Sequence, residues 1–147
     1  MKLNDTNLPD EPSSGALDYK NWCVMGDSIS NSPLNTLTES GASYNYYSYI
    51  QAETGCNITN LAVAGSGYSF IGSSLSSGLA PAFEAVDSIP ENTDVITMFM
   101  GTNDFGLSTS PLGSPTDTLL DKENYLYGGN TVCGFINEYI DRIKARF

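Results

Sequence analysis

The sequence predicts an α/β fold built on a parallel sheet, and three observations carry that expectation. The runs Trp22-Cys23-Val24-Met25 and Val95-Ile96-Thr97-Met98-Phe99-Met100 are nearly continuous in apolar character, the pattern of strands buried on both faces. Stretches of helical period alternate with the strand-like runs, as crossovers between parallel strands require. Each run stops at a small, polar turn that contains glycine.

Residues 1–18, polar and holding Pro9, Pro12 and Gly15, read as a flexible leader or linker. The domain is expected over 19–147. Its first strand, Trp22 to Met25, is halted by Gly26 and Asp27. A helix is predicted over 42–54, where Tyr46, Tyr49, Ile50 and Glu53 recur at steps of three and four and Gly55 supplies a stop. Ile58 to Val63 predicts a second strand, broken by Gly65-Ser66-Gly67. After a glycine- and serine-rich loop, Pro81 suits the first turn of a short helix over 80–88, with Phe83 and Val86 on one side.

The third strand, residues 94–100, ends at Gly101. Residues 104–130 hold four glycines and two prolines with no period, so one long loop is expected there. The last helix is the best defined: Val132, Phe135, Ile136, Tyr139, Ile140, Ile143 and Phe147 form one stripe. Asn130 or Thr131 caps it, and Glu138 and Arg142 form an i,i+4 pair in the favourable order. A crossover helix normally delivers the chain to another parallel strand, and none follows here.

Composition narrows the function classes. A length of 147 residues suits one domain with a sizeable core. Seventeen acidic against six basic residues give a net charge of -11, which argues against nucleic acid and anionic membrane as partners. No apolar run reaches the roughly 18 residues of a membrane span. The first residues lack a signal-peptide core, so localisation stays unknown; a secreted or cell-surface parent protein is compatible with the sequence.

Cys23, Cys56 and Cys133 cannot all pair within one chain, and buried free thiols are expected. Acidic residues are spread singly, and no metal or cofactor is expected. Gly65-x-Gly67 lacks the third glycine of a dinucleotide loop, and the phosphate-loop and G-x-S-x-G patterns are absent. There is no histidine. That removes the commonest general base from the chain's own chemistry.

Gly26-Asp27-Ser28, Ala64-Gly65-Ser66 and Gly101-Thr102-Asn103-Asp104 each follow a strand. Any one of them alone reads as an ordinary turn. In an open parallel sheet, however, all carboxyl ends of the strands point one way, and ligands bind in the crevice there. Ser28 then offers a hydroxyl nucleophile. Its own N–H, the Gly65 N–H and the Asn103 amide offer donors to a developing oxyanion.

Val24-Met25-Gly26-Asp27-Ser28-Ile29-Ser30, Asn60-Leu61-Ala62-Val63-Ala64-Gly65 and Met100-Gly101-Thr102-Asn103-Asp104 together resemble the first three sequence blocks of the GDSL/SGNH hydrolase superfamily. The resemblance implies a flavodoxin-like three-layer α/β/α sandwich with strand order 2-1-3. It implies Ser28 as catalytic nucleophile, Gly65 and Asn103 as oxyanion donors, and Asp27 and Asp104 as supporting residues. The family's fourth block, Asp-x-x-His, has no counterpart here, nor have the two strands that precede it. The chain is therefore expected to be the N-terminal two-thirds of such a domain, incomplete at its C-terminus and inactive alone. It would leave the edge of strand 94–100 open to self-association.

The parent's expected activity is ester hydrolysis through an acyl-enzyme, on small acyl esters of sugars or glycans. The alternative expectation is a non-catalytic module that binds carbohydrate or protein, with Tyr125 and Tyr127 stacking on a sugar.

Overall fold

The computed structural model describes residues 15–31, 46–72, 78, 80, 82–122 and 129–147. Three parallel strands form the sheet: β1 (Asn21–Gly26), β2 (Asn57–Asn60) and β3 (Val95–Phe99), in the order β2-β1-β3. Register runs from Asn21 opposite Asn57 to Val24 opposite Asn60, and from Trp22 opposite Val95 to Gly26 opposite Phe99. The central strand β1 is buried from Trp22 to Gly26, which explains its unbroken apolar sequence. Among the described residues, the outer side of β3 has no strand partner.

Alternate side chains of β1 feed two cores. Trp22 and Val24 pack with Tyr47 and Cys56 beneath α1 (Tyr46–Thr54). Cys23 and Met25 pack on the other face with Phe83, Val86, Ile89, Phe135 and Tyr139. These last come from a 3₁₀ helix (Ala82–Ser88), the residue after it, and α3 (Val132–Arg146). The Phe83 and Phe135 rings stack at 6.2 Å, with the Arg142 guanidinium 4.3 Å from the Phe83 ring centre. Arg146 donates to the carbonyls of Val86 (3.0 Å) and Ile89 (2.6 Å), so α3 also closes the end of the 3₁₀ helix.

Two polar groups in these cores are paired across the sheet and onto α3. Trp22 Nε1 donates to Thr97 Oγ1 at 2.8 Å, and the Tyr139 hydroxyl donates to Met25 Sδ at 3.1 Å. Burial pushes the Cys23 thiol up to about 11 and also raises the Tyr139 phenol. Thr131 caps α3 by accepting from Gly134 N–H at 3.1 Å. Glu138 joins Lys122 and Arg142, the latter at i,i+4.

Several expectations change. The second strand stops at Asn60, not Val63: Asn60 Oδ1 accepts from Ala62 N–H (2.9 Å), while Leu61 and Val63 N–H still donate to Val24 O (2.8 Å) and Gly26 O (2.9 Å) of β1. The segment over 80–88 is a 3₁₀ helix that begins at Ala82. Thr102–Leu107 forms a short helix, α2, inside what reads as featureless loop; Phe105 N–H donating to Gly101 O closes its first turn. On α1 the fully buried tyrosine is Tyr47, while Tyr49 is 57% exposed. Cys133 is only half-buried, and all three thiols are free. Residues 1–14 of the expected leader and 42–45 of the first helix lie outside the described residues.

Candidate functional site

The end of β1 approaches β3 too closely for a side chain. A Cβ on Gly26 would lie 2.5 Å from Ser30 Oγ and 2.7 Å from Phe99 O. The chain then turns: Asp27 O accepts from Ser30 N–H (3.1 Å) and Asn31 N–H (2.9 Å), while Asp27 Oδ1 accepts from Ile29 N–H (2.9 Å). Asp27 is fully buried, and its Oδ2 has no hydrogen-bond partner among the described residues. Ser28 sits on the outside of this turn, exposed to solvent.

The β2 exit is pinned to that turn. Asn60 Nδ2 donates to Ser30 O (2.9 Å) and to the Tyr47 hydroxyl (2.8 Å). Asn31, with its amide nitrogen toward β2, donates to Ala62 O (3.2 Å) and accepts from Ala64 N–H (2.9 Å). Gly65 follows at φ 83°, a left-handed conformation that favours glycine. Ser66 Oγ then reaches back to Gly26 O (3.2 Å) and Val63 O (2.7 Å).

The β3 exit completes the arrangement. Asn103, in the first turn of α2, donates from Nδ2 to Ser66 O at 2.8 Å. Asp104 accepts from Tyr68 N–H (2.9 Å), Ser69 N–H (2.8 Å) and Ser69 Oγ (2.6 Å). A Cβ on Gly67 would fall 2.6 Å from Asp104 Oδ2, so that position is held to glycine by the carboxylate it passes. Burial raises the Tyr68 phenol, and the Asp104 charge raises it further.

The three strand-end loops are thus cross-braced, with Ser66 as the common tie. Of the five residues that the motifs single out, Asn103 and Asp104 are engaged with the β2 exit through the hydrogen bonds above. Asp27 shapes the turn that carries Ser28. Gly65 N–H and Ser28 N–H donate to no carbonyl among the described residues, and the second N–H of the Asn103 amide is in addition to the one given to Ser66. Tyr125 and Tyr127 lie outside the described residues.

Sequence reasoning missed the braces themselves. Asn31, Asn60, Ser66 and Ser69 hold the loops together, and the only advance signal was their place at a strand's last residue or five to nine residues past it. Among the described residues no group of three or more Cys, Asp or Glu side chains is placed to hold a metal ion.

No family model matches the chain, and no curated protein does. Solved structures are similar in fold. One is a protein from Lactobacillus plantarum determined by the Northeast Structural Genomics consortium: 21% identity, TM-score 0.59, covering 88% of this chain and 52% of that one. A second matches with 23% identity and TM-score 0.61 over 90% of this chain and 54% of its own. The chain spans about half the length of either. At these identities the likeness is one of fold, an α/β sandwich around a small parallel sheet.

Proposed function

We propose that this chain carries the nucleophile and oxyanion-donor half of an SGNH-type ester hydrolase site on a flavodoxin-like sandwich. On its own it is a ligand-binding module that does not turn over. The observation that supports this best is the bracing through Ser66, which ties the loops of Ser28, Gly65 and Asn103 to one another. Three unrelated turns have no reason to share such a tie. Three sources of N–H donors do, because their spacing around one oxygen sets the catalytic gain.

The chemistry follows from that donor set. Ser28 Oγ attacks an ester carbonyl, and the carbonyl oxygen takes the negative charge. The N–H groups of Ser28 and Gly65 and the free N–H of Asn103 hold that oxygen. Collapse expels the alkoxide and leaves an acyl-serine, which water later cleaves to the acid. The serine proton must pass to a base during the attack. With no histidine among 147 residues, that step has no efficient acceptor here. Asp104 has its oxygens occupied by three donors, and Asp27 is turned inward. A base from another chain or from a longer parent would restore turnover.

The test is intact-mass analysis after incubation with an activated acetyl ester such as 4-nitrophenyl acetate. A good leaving group departs as its anion, and the serine proton goes to solvent. The expected result is slow addition of one acetyl group without sustained release, absent in Ser28→Ala. Asn103→Ala should acylate about 10²–10³-fold more slowly, the effect of removing one oxyanion donor. Sustained, Ser28-dependent turnover would overturn the non-catalytic reading. Equal labelling of wild type and Ser28→Ala would overturn the serine site.

A further inference from the structure

A cavity of about 330 Å³ opens beside the strand ends, at the small end of the roughly 300–1,000 Å³ that hold small ligands. Its apolar wall comes from four places in the chain: Met25 at the end of β1, Leu61 and Val63 past β2, Ala82 and Ala85 on the 3₁₀ helix, and Met100 past β3. Its polar wall is Gly26 and Ser66. Gly26 lies two residues before Ser28, and Ser66 directly follows Gly65. The cavity therefore starts at the backbone that carries two of the three proposed catalytic groups.

The lining chemistry selects the occupant. Ser66 has one hydroxyl proton, already directed at Gly26 O and Val63 O, so it has nothing left to donate to a sugar hydroxyl. Glu84, an exposed carboxylate, stands on the remaining wall, and the chain's net charge is -11. Carboxylate and phosphate headgroups are disfavoured there. Two methionines give a wall that adapts its shape, and three alanines, Ala80, Ala82 and Ala85, leave the space open that larger residues would fill.

We infer that this cavity binds the unbranched acyl chain of a neutral ester, several carbons longer than acetyl. The assignment rests on the proposed serine site only for what happens to the carbonyl; the cavity's occupant is tested by binding alone. Each methylene moved from water into such a wall tightens binding about fourfold.

The experiment titrates the protein with the methyl esters of acetic, butyric, hexanoic and octanoic acids, by calorimetry or by chemical-shift changes. Affinity should climb about fourfold per methylene until the cavity fills, and equally so in Ser28→Ala. Ala80→Leu, on an exposed position of the lining, and Ala85→Leu, on the 3₁₀ helix, should each flatten the climb, with thermal melts verifying that both are folded.

A flat series in the wild type overturns the assignment, as does a climb that survives in both leucine variants. Sodium octanoate binding as tightly as methyl octanoate overturns the choice of a neutral ester. The two readings fail separately. A chain-length climb without acylation at Ser28 keeps the cavity and removes the serine chemistry, whereas acylation without a climb does the reverse.

Discussion

Two aspartates follow two strands, and the structure treats them in opposite ways. Asp104, past β3, is half-buried and accepts three hydrogen bonds, two of them from backbone N–H groups of the β2 exit. Asp27, past β1, is fully buried, accepts one bond from Ile29 N–H, and among the described residues keeps Oδ2 without a donor. The first is a finished brace between loops. The second is a local turn-former with an acceptor in reserve. A carboxylate beside a motif residue is therefore not one kind of support. Asp104 ties two loops together, whereas Asp27 shapes the single turn that carries Ser28.

The largest effect should come from breaking the finished brace. Asp104→Ala strands the N–H groups of Tyr68 and Ser69 and should cost about 2–4 kcal/mol, read as a lowered urea midpoint at unchanged slope. The same change should slow acylation of Ser28, because Asn103 shares its helix turn with Asp104 and its tie with Ser66. A loss under about 0.5 kcal/mol would mean that water replaces the carboxylate at no cost, and the contrast between the two aspartates would collapse.

Asp27→Asn should be much milder, within about 1 kcal/mol of wild type, since the amide oxygen can still accept from Ile29 N–H and no second bond is lost. Asp27→Ala gives up that one bond and also removes the oxygen that has no donor, so it too should stay within about 1.5 kcal/mol. If either variant destabilises as much as Asp104→Ala, Oδ2 has a partner in solution, and the two aspartates are alike after all.

How much of this was legible beforehand depends on the length scale. The parallel sheet and the stripe of α3 were readable because burial on both faces leaves an unbroken apolar run, and a long helix repeats its period four times; the order β2-β1-β3 was expected only from the resemblance of the three loop motifs. The six-residue α2 was not: it contains Gly106, spans fewer than two turns, and is closed by one bond to Gly101. The end of β2 was misjudged because Leu61 still packs on the core and Leu61 and Val63 N–H still bond to β1, although Val63 is exposed and the Asn60 side chain already binds the backbone at Ala62. Tyr47 and Tyr49 lie two positions apart on a short helix, and only packing against Trp22 and Val24 chooses between them. At the site, the turns were legible as positions past strand ends. Their cross-links were not, because Asn60 to Ser30 and Asp104 to Ser69 join residues 30 and 35 apart.

The smallest effect sharpens the contrast furthest. Burial holds the Tyr68 phenol above its ordinary value of 10.0, and the Asp104 charge adds to this. The folded phenol keeps its proton more tightly than the unfolded one. Its contribution to folding is therefore complete below about pH 10 and is lost as pH rises through the folded value. Asp104→Asn removes the charge and leaves the burial, so the Tyr68 titration should move part of the way back toward 10.0. Asp27→Asn should leave it unmoved, since no Asp27 influence reaches that ring. The measurement is an alkaline titration of ¹³C-labelled tyrosine by NMR, with Tyr68→Phe to assign the signal among nine tyrosines. An unmoved Tyr68 in Asp104→Asn would show that the carboxylate acts on the loop only through its hydrogen bonds. A full return to the ordinary value would show that the charge, not burial, had held the phenol up.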